Sequence, residues 1–424
     1  MYYNKTMKES LIKAAYEVAK VNYAALGVDT EKVLEELAGI SLSLHCWQTD
    51  DVLGFENPEG GLSGGIAATG NFPGRATNIN EVKADLTKAI SLLPGKHRVS
   101  LHAIYGDFGG KFVDRNQIEP AHFQTWVDWA KSIDLKLDFN CTLFSHSKSS
   151  DGFTLSHKDK TIRDFWIEHV DRCRQISEYM GKELGSDCIH NIWAPDGSKD
   201  ITVDRYAYRK NLCDSLDKIF EKEYTNMKDC IECKLFGIGS ESYVVGSHEF
   251  YMGYGISRNR MVTLDMGHFH PTESVADKIS SLLLFSNELM FHVSRGVRWD
   301  SDHVVILNDD LLNFAQEIVR MDALSRVHLG LDYFDASINR IGAYVIGVRS
   351  VQKAFLIALL EPLKKLRKYE NTGRWFERLA LLEECRAMPW SSVWDYFCLA
   401  SNVPSGLECI EDIARYEKEV LSKR

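Results

Sequence analysis

The sequence predicts an α/β protein of the (β/α)8 or TIM barrel class, with N-terminal helices and a C-terminal helical extension. Eight short apolar segments alternate with helix-like segments along the 424-residue chain, and polar residues such as His102 and Asp265 stand where apolar segments end. Strands that alternate with helices form parallel sheets, and such barrels carry active-site residues at the carboxyl ends of their strands. We therefore predict a helical segment (1–40), a barrel (41–345) and an extension (346–424) that serves oligomerisation.

An open doubly wound sheet is the alternative arrangement for these elements. Sheets of that kind that bind dinucleotides carry a glycine-rich phosphate-binding turn directly after the first strand. No such turn follows the first predicted strand here, SLSLHCW at 41–47. The barrel is therefore favoured.

The N-terminal elements come first. Residues 8–38 alternate apolar and charged positions with helical period and lack proline, which predicts one or two helices ending at Gly39. After strand 41–47 comes a glycine-rich segment, and its few charges favour an active-site lid over disorder at 54–74. The remaining predicted strands, separated by helical patterns, are 98–105, 136–145, 190–195, 232–240, 261–269, 289–295 and 327–335.

The tail beyond residue 340 is charged and has helical periodicity, with prolines at 362, 389 and 404 as divisions. Trp390, Trp394 and Phe397 fall on one helical face. Two interpretations stay open: the tail packs on its own barrel, or it wraps a neighbouring subunit.

Composition restricts the partners. The 45% hydrophobic content is enough for a full core, while the net charge of -10 argues against nucleic acid or anionic membrane as a partner. The N-terminus lacks an apolar signal region and no apolar run approaches the roughly 20 residues of a membrane span, so we expect a cytoplasmic protein. Ten scattered cysteines indicate reduced thiols, and Cys230 and Cys233, without a second pair, indicate packing rather than zinc.

Oxygen and imidazole ligands are dense near the ends of the later strands. One set comes from four successive predicted strands, which are neighbours around a barrel, and forms a cage: Glu232, Asp265, His292 and Asp332. A second set would form a more open site beside it: His268, Asp300 and Asp302. His270, two residues after His268, could orient a metal ligand or form a hydrogen bond within a loop. Each residue of the two sets alone is also compatible with a structural role. Their convergence predicts two hard divalent cations, of the kind that polarise oxygen substrates.

Other strand-end residues predict a substrate pocket. Lys234 stands two residues after Glu232, so the two side chains face the same way on a strand, as a structural ion pair or as part of a site. His102 and Trp193 are compatible with a sugar pocket or with ordinary core. Serine-hydrolase and phosphate-loop motifs are absent from the sequence.

Long blocks of the sequence resemble the L-rhamnose isomerase family. They run from about residue 8 to the C-terminus and include LSLHCWQTDDV, KLFGIGSESY, DMGHFHPTE, RWDSDHVV, GLDYFDASINR and PWSSVWDYF. The resemblance implies a homotetramer that uses L-rhamnose and two divalent cations, usually Mn²⁺, with Co²⁺, Zn²⁺ or Mg²⁺ as substitutes. It implies a catalytic cation at His268, Asp300 and Asp302, and a structural one at Glu232, Asp265, His292 and Asp332. Residues His102, Trp193 and Lys234 match the family's substrate pocket.

A mechanism is then expected in which Lys234 stabilises developing negative charge and Asp332 or a water molecule acts as a base. Hydrogen moves from C2 to C1 as hydride or through an enediol, and the sequence does not distinguish the two routes. The alternatives are another metal-dependent barrel enzyme, such as an epimerase or aldolase, and a non-catalytic sugar- or metal-binding protein. A phosphate cradle for an aldolase is not evident, and the complete ligand set speaks against a non-catalytic protein.

Overall fold

The computed structural model of the chain describes residues 5–56, 68–234, 241–297 and 302–424. Its central feature is a closed barrel of parallel strands, which confirms the predicted fold class. The barrel strands are β1 Leu42–His45, β2 Arg98–His102, β3 Lys136–Asn140, β4 Cys188–Trp193, β6 Met227–Glu232, β8 Met261–Asp265, β9 Leu289–Val293 and β10 Val327–Leu331. Around the barrel their order is β1-β10-β9-β8-β6-β4-β3-β2, so barrel strands that follow one another in the sequence are neighbours.

Helices connect these strands and cover the outside of the barrel. Polar residues stabilise their N-termini: the Asn308 side chain accepts from the Leu311 amide at 3.0 Å, and Asp159 accepts from the Thr161 amide at 2.8 Å. The barrel-associated helices are α1 Lys5–Ala24, α2 Thr30–Gly39, α3 Ile79–Ile90, α4 Gln124–Ser132, α5 Lys160–Leu184, α6 Arg205–Ile219, α7 His248–Arg258, α8 Ala276–Leu282, α9 Asp309–Arg320 and α10 Arg340–Leu359. Helices α1 and α2 confirm the prediction for residues 8–38.

The core lies between the barrel and this helical layer. All residues of β1, β4, β8 and β9 are buried, as expected for parallel strands covered on both faces. The parallel register pairs His102 with Asn140 and Asp265 with His292. The polar side chains at the carboxyl ends of the strands therefore gather at one mouth of the barrel.

The predicted fifth strand, 232–240, is wrong in its bounds. The strand β6 ends at Glu232, where the prediction begins, and residues 235–240 lie outside the described part of the chain. The first half of β6 was missed because Lys228 and Asp229 are charged. In the structure Lys228 pairs with Glu288 at 2.7 Å, and Asp229 pairs with Arg174 at 2.9 Å. The sequence also did not predict the second sheet, which consists of two short antiparallel strands, β5 Gly197–Ser198 and β7 Tyr243–Val244.

Helix α10 contradicts the expectation that no apolar run approaches the length of a membrane span. By length and composition it is sufficient to cross a bilayer, but 78% of its most apolar window is buried inside the protein. It packs against α9 and α3, and its first residue, Arg340, donates two hydrogen bonds of 2.8 Å to Asp51. It is therefore a core helix.

The tail is helical and divided at its prolines, as predicted. Its helices are α11 Leu363–Asn371, α12 Trp375–Ala387, α13 Trp390–Ala400 and α14 Leu407–Glu419. Helix α13 buries Trp394 and Phe397, and its Tyr396 ring stacks on Tyr16 of α1 with centroids 3.9 Å apart. This part of the tail packs on its own chain. All ten cysteines are free thiols, and of the predicted lid at 54–74, residues 57–67 lie outside the described chain.

Candidate metal centre and substrate pocket

Four side chains able to bind a metal meet at the carboxyl ends of four successive barrel strands. Glu232 and Asp265 are the last residues of β6 and β8, and His292 is the penultimate residue of β9. Asp332 directly follows β10. One donor atom from each of the four lies within 4.8 Å of the others. Since these strands are neighbours in the closed sheet, the topology itself produces the cluster.

Neighbouring hydrogen bonds orient two of the carboxylates. Asn191 on β4 donates to Glu232 Oε2 at 2.6 Å. The Ser294 hydroxyl and the Gly267 amide donate to Asp265 Oδ1 at 2.7 Å and 2.6 Å. The second oxygen of each carboxylate is therefore directed toward the centre of the cluster, as is typical of supported metal ligands.

The imidazole of His292 lies among the carboxylates. Its Nδ1 is 3.2 Å from Glu232 Oε1, 3.4 Å from Asp332 Oδ2 and 3.8 Å from Asp265 Oδ2. Burial lowers the pKa of His292, but Glu232 and the other carboxylates outweigh it and raise the pKa to about 9. Burial raises the pKa of Asp332 to about 7, and the charges of Asp265 and Glu232 add to that rise. Protons therefore balance part of the negative charge of this cluster.

The donor set fits a divalent cation. Glu232, Asp265 and Asp332 bring three carboxylates, while His292 supplies at most one positive charge, so the ionised cluster has excess negative charge in a buried place. Burying such charge is costly unless a cation balances it. Carboxylate oxygens with one imidazole are ligands suited to Mn²⁺, Mg²⁺ and related ions. These four residues could therefore hold a divalent metal.

The predicted open site is described in part. His268 and Asp302 line the same pocket as the cluster, and His268 Nε2 is 3.7 Å from Asp265 Oδ2. Asp302 has a left-handed backbone with φ of 45°, and its carbonyl accepts a 3.2 Å hydrogen bond from the Phe334 amide. Asp300 lies outside the described residues.

The residues predicted for a sugar pocket line this same cavity. Lys234 Nζ lies 4.7 Å from the ring centroid of Trp193, a cation over an aromatic face. His102 stacks on Trp47, with ring centroids 4.1 Å apart. Burial lowers the pKa of His102 to about 3, so its ring is neutral at physiological pH. His270, in contrast, bonds the Thr272 hydroxyl at 2.7 Å in an exposed loop.

Several site residues were missed from the sequence. Trp47 and Phe334 line the pocket, and the buried Trp47 indole nitrogen has no hydrogen-bond partner among the described residues. Asn191 and Ser294 orient the carboxylates described above. Trp47 is the last residue of the predicted first strand, 41–47, and Ser294 stands two residues after His292, so the strand-end and alternation rules could have found both.

A larger cavity, of about 670 Å³, lies at the opposite, amino-terminal mouth of the barrel. Two of its charged residues are paired with each other: Arg98 donates to both oxygens of Asp138 at 2.7 and 2.8 Å. A third polar residue of its lining, His328, contacts Glu288. Barrels of this class place their chemistry at the other mouth. The cluster of four potential metal ligands, and not this larger cavity, is therefore the candidate site.

Comparison with known proteins identifies the family. The model of the family L-rhamnose isomerase (RhaA) matches residues 10–424. The L-rhamnose isomerase of Bacteroides thetaiotaomicron is 64% identical over 417 residues, covering 98% of this chain and 100% of the relative. That of Rhodopirellula baltica is 54% identical over 97% of both chains, and that of Escherichia coli 54% identical over 97% of this chain and 99% of the relative.

Among solved structures, D-psicose 3-epimerase of Clostridium cellulolyticum H10 with D-tagatose matches with a TM-score of 0.43 and 11% identity, over 65% of this chain and 92% of that one. A similarity this low carries no argument about function. The family match and the relatives of more than half identity span nearly the whole chain. The chain therefore belongs to the L-rhamnose isomerase family, a family of isomerases.

Proposed function

We propose that this chain interconverts L-rhamnose and L-rhamnulose in L-rhamnose catabolism, using two divalent cations, with Mn²⁺ preferred. The observation that carries the proposal is the buried cluster of three carboxylates and one imidazole beside a pocket with Trp193 and Lys234, in a chain of this family. Co²⁺, Zn²⁺ and Mg²⁺ are the alternatives for either site.

The two sites have different roles in this proposal. Glu232, Asp265, His292 and Asp332 hold a structural cation, because they surround their centre on four strands. His268, Asp300 and Asp302 hold a catalytic cation nearer the pocket. When bound, such cations polarise the oxygens of an open-chain sugar and lower the pKa of a hydroxyl group.

Lys234 is the proposed electrostatic catalyst. The residue is 9% exposed, and its ammonium group lies over the face of Trp193. A cation held in place beside a sugar oxygen stabilises negative charge as that charge develops, and does so more strongly where water is excluded. Trp193 and the stacked pair of His102 and Trp47 form the walls that position the sugar.

Asp332 is the proposed base. Its carboxyl lies at the edge of the cluster and lines the pocket, and burial raises its pKa to about 7. That pKa belongs to the metal-free protein. A bound cation would keep the carboxyl ionised, which is the state in which it can accept a proton and return it later in the same cycle.

The route of the transferred hydrogen is open. Hydrogen passes from C2 to C1 either directly as hydride, or as a proton through an enediol with Asp332 or a water molecule as the base. Turnover in D2O distinguishes the two. Deuterium at C1 of the product contradicts a pure hydride shift, and its absence contradicts a freely exchanging enediol.

The proposed assembly is a homotetramer, and the extension at 346–424 contributes to its contacts. Helix α12 has no buried residue in the single chain and exposes Trp375, Phe376 and Leu379 by 57%, 79% and 58%. On α1, Leu11 and Val18 are more than half exposed. Exposed apolar clusters of this kind support a covered interface.

Light scattering after size-exclusion chromatography tests the assembly. We expect four times the 48.2 kDa chain mass, and a smaller particle when Phe376 and Leu379 are both replaced by Glu. Lys364→Glu on α11 is the charge-matched control. A monomer of the unmodified chain contradicts the proposal. We also propose a cytoplasmic location, which the ten free thiols support and cell fractionation tests.

Activity of metal-stripped protein tests the function. We expect Mn²⁺ to restore conversion of L-rhamnose to the ketose after chelation, and Asp302→Ala to abolish that recovery while the exposed Asp310→Ala retains it. Absence of turnover on L-rhamnose with every divalent cation would contradict the proposal.

A further inference from the structure

A ring of three hydrogen bonds ties together the ends of β6 and β8 and the start of α7. His268 Nδ1 lies 2.8 Å from the carbonyl oxygen of Cys233. The carbonyl oxygen of His268 lies 2.8 Å from His248 Nε2. The ring closes where His248 Nδ1 contacts the Cys233 sulfur.

The chemistry of the partners sets the direction of each bond. A carbonyl oxygen only accepts, so His268 Nδ1 and His248 Nε2 both carry protons and donate. A neutral His248 ring then has an unprotonated Nδ1, which accepts from the Cys233 thiol. Cys233 is fully buried, which favours the neutral thiol over an ion pair.

The ring has a direct effect on His268. With Nδ1 protonated and anchored, the lone pair of its other nitrogen, Nε2, is directed toward Asp265, 3.7 Å away. His248, which bonds the His268 carbonyl, is held in place in turn. It is the first residue of α7, and its ring stacks on that of Phe269 with centroids 3.9 Å apart and planes at 14°. Glu232 Oε1, 3.3 Å from His268 Nδ1, is a second acceptor for the proton on that nitrogen. The Cys233 carbonyl and His248 therefore help to fix the tautomer and the plane of His268 from outside the pocket.

We propose that Cys233 and His248 are positioning residues that hold His268 ready to bind the catalytic cation. The inference rests on the proposed function, in which His268 is a ligand of that cation. Neither residue lines the pocket described above, so both would act through His268 and not on the sugar. Partners of this kind typically contribute about 10- to 100-fold to metal affinity.

Calorimetric titration of the metal-free protein with Mn²⁺ tests the proposal without using turnover. We expect His248→Phe, which keeps the aromatic stack but loses both hydrogen bonds, to weaken the second ion by about 10- to 100-fold. His248→Gln, whose amide nitrogen replaces Nε2, should restore most of the affinity. Cys233→Ala should give a smaller loss, because a thiol is a weak donor.

Cys188→Ala is the matched control. It removes another fully buried thiol, at the start of β4, whose hydrogen bond goes to the Ile189 carbonyl and not to the ring. Melting temperatures of both cysteine variants measure the loss of packing, and only Cys233→Ala should change metal affinity. Equal weakening in the two variants would show a general destabilisation and overturn the proposal.

His268→Ala separates this inference from the proposed function. If it loses one ion while His248→Phe binds both ions as the unmodified chain does, the positioning role is wrong and the proposed function stands. If His268→Ala itself still binds both ions with unchanged affinity, His268 is not a ligand, and the inference fails together with that ligand assignment.

Discussion

A divalent cation that enters the carboxylate cluster must displace protons, so its affinity should depend steeply on pH. In the metal-free protein the pKa of His292 is about 9 and that of Asp332 about 7. Metal binding requires a neutral imidazole and an ionised carboxylate. Between pH 7 and 9 the cation therefore displaces about one proton, from His292, and below pH 7 about two.

These pKa values give the size of the effect. Lowering the pH from 8 to 6 should weaken Mn²⁺ binding at this site by about 1000-fold, or about 4 kcal/mol. Most of the loss comes from His292 over the whole interval, and the rest comes from Asp332 below pH 7.

Calorimetry in two buffers of different ionisation enthalpy counts the released protons directly. We expect about one proton at pH 8 and about two at pH 6. Asp332→Asn is the matched control: its amide does not titrate, so it should bind Mn²⁺ more weakly but release one proton fewer at pH 6. Absence of proton release at pH 8, or an affinity that changes less than tenfold between pH 8 and 6, would show that protons do not compete with the cation at His292 and Asp332.

Three further predictions follow from the same contacts. The pKa of His292 is raised in the folded metal-free protein, so protonated His292 stabilises the fold fully below pH 6.5 and this contribution is lost as the pH rises through 9. The melting temperature of chelated protein should therefore fall between pH 6.5 and 9, by an amount equivalent to about 3 kcal/mol of unfolding free energy. A melting temperature that does not change over this interval would contradict the prediction. Trp47→Phe keeps the stack on His102 but removes a buried N–H that has no partner among the described residues. In steady-state kinetics, KM for the sugar should rise by about 3- to 10-fold with little change in kcat. An unchanged KM would contradict this prediction. Ser294→Ala removes a hydrogen-bond donor to Asp265 and should weaken metal binding by at least about tenfold in a calorimetric titration. An unchanged affinity would show that the Ser294 hydroxyl does not orient the Asp265 carboxylate.

The barrel and the meeting of strand-end residues could be predicted from the sequence. Apolar segments such as 261–269 and 289–295 are bounded by helical patterns, and a closed parallel barrel makes consecutive strands neighbours. Asp265 and His292, at the ends of two such strands, therefore come to lie side by side.

The start of β6 could not be predicted, because its charged residues are compensated only by the tertiary structure. Lys228 and Asp229 resemble a loop in the sequence, but their partners Glu288 and Arg174 are 60 and 55 residues away in the chain. Long-range ion pairs of this kind override local strand propensity.

The ring around His268 was beyond the sequence for the same reason. Cys233 and His248 stand 15 residues apart, and their contact depends on how the start of α7 meets the ends of two strands. From the sequence Cys233 was expected only to pack. Its contact with His248, the first residue of α7, required the structure.

The proposed function depends most directly on a cation at the carboxylate cluster. Anomalous diffraction from crystals of the Mn²⁺-loaded protein locates such a cation. We expect one strong peak enclosed by Glu232, Asp265, His292 and Asp332, and a second beside His268 and Asp302. Crystals with no peak among the first four side chains, or with manganese only at the opposite mouth of the barrel, would contradict a metal site at this cluster.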